Sequence, residues 1–394
     1  MNLKFNFIFI SLFFPLLSFW DTDNLYEEQK IVFYSEELLI QFDTGMDFKG
    51  PRILNEQSIV AFYEALENSS YEPFLYSIKK HQNRLELNDW LVYELIKKSI
   101  EEIFNSQSEN YKRLTTWFLL SKLGYDTRLA FLDNKAFIYV RIIDDLYETP
   151  LLEDNNQKFA GLTEIQYKKT KKNKSVYLLN FLAAPNGRAF NFSLDYLPNL
   201  PPTIQRKDFR FDVDGIRHDL MIEFDKTIID IMRHYPVIGE TDYLITPFSE
   251  ILRESLIPQL RQILKGKDII ESLTILSTFT RSAFRYKEDE NYFGRSKPMI
   301  RDEVFFYPYS DCEDRSAVFW GLVEELLDLP MIVVAFPDHL TVAVALGEEI
   351  GPSIKYKGKK FYICDPTGPS NSSEIGSIPK GYEKQSFEIL LDNL

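Results

Sequence analysis

Residues 309–330, "YSDCEDRSAVFWGLVEELLDLP", constrain the fold more than any other stretch. Ser310 or Asp311 suits a helix N-cap, and Phe319, Leu322, Val323 and Leu326 fall on one helical face. Leu329-Pro330 ends the run, because a residue before proline leaves the helical region. "MIVVAFPDHLTVAVALG" then reads as two strands around Pro337, and "KKFYICDPTG" as a further strand ending at Asp365-Pro366. Helix and strands in this order place the last third of the chain in the α+β class.

The rest of the chain follows the same two periods. Within 55–125, "EQSIVAFYEALENS", "NDWLVYELIKKSIEEIF" and "NYKRLTTWFLLSKLG" carry apolar residues at three and four spacing, so helices are expected. From "DTRLAF" to "LLNFLAA" the pattern becomes short and strand-like, with the lysine-rich "YKKTKKNKS" as a solvated hairpin tip. Pro198, Pro201 and Pro202 mark a boundary, since proline disfavours both helix and central strand. "DFRFDVDGIRHDLMIEF" reads as a hairpin turning at Asp214-Gly215. Two helices follow, the first expected to bend or break at Pro258. The reading therefore assigns a signal peptide to 1–18, a helical then β-rich domain to 19–200, a β-rich connecting segment to 201–249 and a second domain to 250–394. One echo crosses the boundary: "LAFLDNKAFIYV" at 129–140 lies over "VAFPDHLTVAV" at 334–344, with Asn134 in the place of His339. The first domain is on that ground a candidate degenerate duplicate.

Composition narrows the function classes. Asp and Glu total 59 against 45 Lys and Arg, a formal charge of -14, so no overall basic field attracts nucleic acid. The opening "MNLKFNFIFISLFFPLLSFWDTD" sets Lys4 before an apolar run, the layout of an export signal. The expected location is exported: periplasmic, secreted, or membrane-tethered if the segment is not cleaved. Export permits disulfides, and the 2 cysteines, Cys312 and Cys364, form an even number. His81, His218 and His234 lack ligand neighbours at metal spacing, and no loop has the spacing of a recognisable calcium site, so no metal or cofactor is expected.

Three residues carry the chemistry. Cys312 opens a helix, where the dipole favours a thiolate, although Asp311, Glu313 and Asp314 oppose it. His339 shares a strand face with Thr341, Ala343 and Ala345. Asp365 shares a face with Phe361 and Ile363, while Tyr362 and Cys364 point the other way, which argues against a Cys312–Cys364 bridge. Nucleophile, general base and orienter of the base are the parts of a Cys-His-Asp triad. An imidazolium held by Asp365 would offset the acids around the thiol.

The motifs "SDCEDRSAVFWGLVEELLDLP", "PDHLTVAV" and "CDPTG" resemble the transglutaminase-like superfamily, relatives of the papain-fold thiol enzymes, over about 250–394. The resemblance implies a transglutaminase-like core at the C-terminus, preceded by the helical and β-rich region. It implies Cys312 as nucleophile, His339 as base and Asp365 as orienter, with the Cys312 amide in the oxyanion hole and Tyr286 or Tyr292 as candidates for its second donor. Departures are Asp311 where many members have glycine, Thr341 where many have an aromatic residue, and an insertion, "GEEIGPSIKYKGKK", between His339 and Asp365. The expected activity is attack on an amide or peptide bond through a thioester, with hydrolysis favoured over transamidation. The expected partner is a peptide or protein substrate, a cell-envelope peptide among the candidates. The alternatives are a binding or assembly protein that uses this scaffold, and a structural disulfide.

Overall fold

The computed structural model describes residues 26–163, 176–368 and 374–394. The export segment at 1–18 and the lysine-rich tip lie outside the described residues. The class is mixed α+β, as the two hydrophobic periods predict.

The first half opens on a hairpin of β1 (Glu27–Phe33) and β2 (Glu36–Phe42), followed by α1 (Glu56–Glu67), α2 (Glu72–Leu85), α3 (Asp89–Ile103) and α4 (Glu109–Lys122). Side chains of Asn55, Asn88 and Ser108 accept the free N–H groups at the starts of α1, α3 and α4. A sheet then forms from β3 (Thr127–Leu132), β4 (Lys135–Arg141), β5 (Leu151–Asp154), β6 (Gln157–Gly161) and β7 (Tyr177–Leu178). One core, including Trp117, Phe118, Ile138 and Phe190, joins helices to sheet.

The second half opens on a longer hairpin, β8 (Ile204–Val213) and β9 (Ile216–Asp225), turning at Asp214-Gly215 as expected, with φ of 51 and 75. Its inner face, Phe209, Phe211, Leu220, Ile222 and Phe224, belongs to the second core. Thus the hairpin packs with the C-terminal half, beyond Pro201-Pro202. Next come α5 (Lys226–Met232), α6 (Glu240–Ile245), α7 (Glu250–Ile263) and α8 (Ile269–Ala283). The helix α7 runs through Pro258 instead of breaking there. Short pieces follow: β10 (Arg285–Tyr286), α9 (Asp289–Tyr292), α10 (Arg301–Phe306) and β11 (Tyr309–Ser310). They lead into α11 (Cys312–Leu327), capped by Asp311 and stopped at Asp328 in the left-handed region, just before Leu329-Pro330. Then come β12 (Met331–Phe336), β13 (His339–Ala345), β14 (Ile354–Tyr356), β15 (Lys359–Ile363) and β16 (Glu388–Asp392).

Phe319, Leu322 and Val323 of α11 are fully buried, against β13 on one side and α8 on the other. Each such side chain stabilises the fold by roughly 1.5–3 kcal/mol relative to exposure. Gly321 lets α11 approach the Arg301 guanidinium: a Cβ there would stand 2.6 Å from its Cζ.

The two halves share one plan. Strand order is β5-β6-β4-β3-β7 in the first sheet and β14-β15-β13-β12-β16 in the second, with all neighbours antiparallel. Outside each sheet, α2 lies on β2 as α7 lies on β9, and α3 lies on β1 as α8 lies on β8. The central hairpins close at Leu132↔Lys135 and Phe336↔His339, so Lys135, not Asn134, occupies the place of His339. A one-residue slip reverses which face a side chain serves, and the sequence echo had slipped by one. Asn134 sits in the turn, where it accepts from Leu54 N–H (2.7 Å) and donates to the Arg52 carbonyl (3.0 Å).

Candidate active site

His339 opens β13 because Pro337-Asp338 makes the turn and Phe336 pairs with His339 across it. Its ring stacks on Tyr382, with centroids 5.0 Å apart, and the Tyr382 hydroxyl is fixed by Asp338 (3.1 Å). Nε2 faces Oδ1 of Asp365 at 3.4 Å and the Thr367 hydroxyl at 3.3 Å. That leaves Nδ1 as the ring nitrogen for a proton from a nucleophile.

Asp365 follows β15 and is buried. Its Oδ1 accepts from the Thr341 hydroxyl (3.2 Å), the Thr367 hydroxyl (2.7 Å) and the Thr367 N–H (3.1 Å). Burial alone would push this carboxyl up, but the bonds from His339 and Thr367 outweigh it and hold Asp365 below the ordinary carboxylate range. The ionised form is therefore the one the site favours. Arg281, from the last turn of α8, donates from Nε to the Asp365 carbonyl at 2.8 Å. Arg315, one turn into α11, donates to the Thr367 carbonyl (2.9 Å), the Phe284 carbonyl (2.5 Å) and the Ser310 hydroxyl (3.3 Å). Two buried guanidinium groups thereby hold the aspartate segment, Arg281 to α8 and Arg315 to the helix that carries the cysteine.

Cys312 is the first helical residue of α11 and is half-buried. The helix approaches β13 through the Ser316 hydroxyl, which donates to the Leu340 carbonyl (3.2 Å). The thiol reaches the Leu340 backbone, one residue from His339. Its side-chain bond, however, goes to Oε2 of Glu313 at 3.0 Å. Burial first, then the charge and hydrogen bond of Glu313, push the Cys312 thiol far above its ordinary value. The structure thus brings His339 and Asp365 together and leaves the thiol bonded to an acid beside them. In this arrangement Cys312 is a protonated thiol.

The face assignments hold. Phe361, Ile363 and Ala343 share one cluster, while Cys364 belongs to the helix-side core. Both cysteines are free, so the disulfide reading is set aside. Tyr286 is placed beside Ser310 by the short parallel pairing of β10 with β11. Its hydroxyl donates to Glu288 (2.6 Å), and its ring lies under Arg315 (5.1 Å). Tyr292 packs on Tyr309 (5.0 Å) and Phe293 (4.7 Å). His81 contacts the Leu39 carbonyl (2.9 Å), and His218 stacks on Phe211 (4.9 Å), both in packing roles.

Sequence reasoning missed Thr367, Arg281, Arg315 and Tyr382. Thr367 stood inside the quoted "CDPTG", but nothing in a lone threonine signals a bond two residues back. Arg281 and Arg315 had a weak signal, as charged residues within otherwise apolar helices.

In the first half, the places of Cys312 and His339 are held by Glu109 and Lys135, the opening residues of α4 and β4. Register puts Thr163 at the place of Asp365, since Tyr139↔Gly161 corresponds to Ala343↔Ile363. None of these three can act as thiol nucleophile or imidazole base.

No family model, curated protein or solved structure matches this chain.

Proposed function

We propose that the chain is a thiol acyl-transfer enzyme of the transglutaminase-like type, with Cys312 as nucleophile, His339 as base and Asp365 as orienter. The observation that carries this reading is the His339–Asp365 pair at 3.4 Å, in which the aspartate also accepts two threonine hydroxyls, beside the start of the helix that bears the thiol. A buried aspartate so held fixes the imidazole orientation.

In the step itself, Sγ turns from Glu313 toward Nδ1 of His339 and its proton passes to that nitrogen. Sulfur forms a bond to the amide carbon, and the carbonyl electron pair moves onto oxygen, facing the Cys312 N–H at the helix start. The C–N bond then breaks, the amine leaves with the proton from His339, and a thioester remains on Cys312. Water, deprotonated by His339, adds to the thioester carbon and releases the acid and the thiol. Hydrolysis is favoured because water needs no dedicated pocket.

The second reading, a binding or assembly scaffold, is favoured by one observation: the thiol is bonded to Glu313, not to His339. Intact-mass measurement after incubation with a peptide p-nitrophenyl ester separates the two. The enzyme reading expects a hydroxylamine-labile acyl adduct on Cys312, absent in Cys312→Ala and formed at least a hundredfold more slowly in His339→Ala. Equal labelling of wild type and His339→Ala, or no labelling at all, sinks it in favour of the scaffold.

A further inference from the structure

Three carboxyl groups converge beside the thiol. Asp289, Asp311 and Glu313 each place one carboxylate oxygen within 4.8 Å of the others. Asp289 comes from the start of α9, while Asp311 and Glu313 flank Cys312 at the start of α11. Asp289 is tied in by the Lys297 N–H, which donates to its Oδ2 at 2.5 Å.

Asp311 caps α11, yet one of its carboxylate oxygens is left over. It is 3% exposed, and its Oδ1 has no hydrogen-bond donor. The neighbours that act on it most strongly are themselves acids, Asp314, Glu313 and Asp289. Among the described residues no ion pair reaches it; Arg315 directs its guanidinium to Ser310 and two carbonyls. Asp314 differs, because the N–H groups of Met299 (3.0 Å) and Asp311 (3.1 Å) satisfy its two oxygens. A buried acceptor left unmade costs about 1–3 kcal/mol, and more when charged. Facing carboxylates add repulsion, which a shared proton or a cation can remove.

We propose that Asp289, Asp311 and Glu313 form a binding site for a divalent cation of the calcium kind. The donor set is all oxygen, with no imidazole or thiolate, which selects hard cations over zinc or copper. Calcium takes six to eight oxygens in irregular geometry, so backbone carbonyls and water complete a three-carboxylate set, whereas magnesium demands a near-ideal octahedron. Entry is from the Glu313 side, which is partly exposed. Glu313 also accepts the Cys312 thiol, so cation binding competes with that bond and releases the thiol. The site stands whether or not Cys312 is a nucleophile.

Calorimetric titration of calcium chloride into the chelator-treated full chain tests this. One calcium per chain is expected, bound at least tenfold more weakly by Asp311→Asn and by Glu313→Gln. Glu348→Gln, an exposed acid on a distant loop, should leave binding unchanged. Glu313 lies at the partly exposed rim, so its variant keeps the test valid if Asp311→Asn fails to fold. Absence of binding overturns the proposal. So does equal weakening in Glu313→Gln and Glu348→Gln, which would mark diffuse attraction to an acidic chain, or a preference for zinc over calcium.

Discussion

The Thr341 hydroxyl donates to Oδ1 of Asp365 at 3.2 Å, across the gap between β13 and the end of β15. Threonine stands there in place of the aromatic residue that the resemblance led one to expect, and it helps hold the orienting aspartate. Thr341→Val should slow acylation of Cys312 by about fivefold, the worth of one hydrogen bond of about 1 kcal/mol. Asp365→Ala should slow it by about 10²–10⁴-fold. Intact-mass kinetics with the peptide ester reads both, and equal effects of the two variants would contradict a secondary role for Thr341.

Glu313 should restrain the thiol. A raised thiol pKa means that the protonated form persists through neutral pH and the reactive thiolate gains only as pH climbs. Alkylation of Cys312 by iodoacetamide in chelator should therefore rise with pH without a plateau below about pH 9. In Glu313→Gln the rise should move to lower pH, giving about tenfold faster labelling at pH 8. Site-resolved peptide mass analysis distinguishes this from labelling of Cys364.

Asp302 offers a separate pH signature. It is fully buried, and burial, opposed by bonds from the Ser249 hydroxyl and N–H, pushes its carboxyl up to about 6. The folded state thus binds a proton more tightly than the unfolded chain, and the stability from this group is present at acid pH and lost as pH rises through about 6. Relative to wild type, Asp302→Asn should gain thermal stability between pH 4.5 and pH 7. Parallel melting curves at the two values check the difference, and an unchanged gap would mean that Asp302 does not titrate there.

Gly321 should not tolerate a methyl group. A Cβ there meets the guanidinium of Arg301, whose Nε and Nη2 donate to the Ala317 (3.0 Å) and Leu244 (2.9 Å) carbonyls. Gly321→Ala should cost about 1–3 kcal/mol by overpacking. Urea unfolding measures it. A neutral result would show that the guanidinium can shift while keeping partners.

The course of α11 and the strands after it was legible because cap, stop and turn are local: Asp311, Leu329-Pro330 and Pro337-Asp338 lie beside the elements they bound. The pairing of His339 with Asp365 was legible from alternation, which puts each on a defined face. The partner of the thiol was not. In the sequence Glu313 is one of several opposing charges, whereas in the fold its Oε2 accepts the hydrogen bond of the thiol, a rotamer choice that no spacing encodes. Asp289 reaches the same place from a different helix, so its meeting with Asp311 depends on the whole fold. Pro258 is the opposite case: local chemistry favours a bend or a break, yet Leu252, Leu256, Ile257 and Leu260 are all buried, and packing on β9 keeps α7 from breaking.

The matching strand orders of the two sheets mean that the molecule carries its own negative control. Sheet strand order, the packing of two helices on the outer hairpin and the register of the central hairpin are alike in both halves, while β10, α9, α10 and β11 ahead of α11 have no counterpart ahead of α4. At the three corresponding positions Glu109, Lys135 and Thr163 stand against Cys312, His339 and Asp365. Any probe that labels the second half and spares the first reports on those side chains and their neighbours, with the sheet plan held constant inside a single chain.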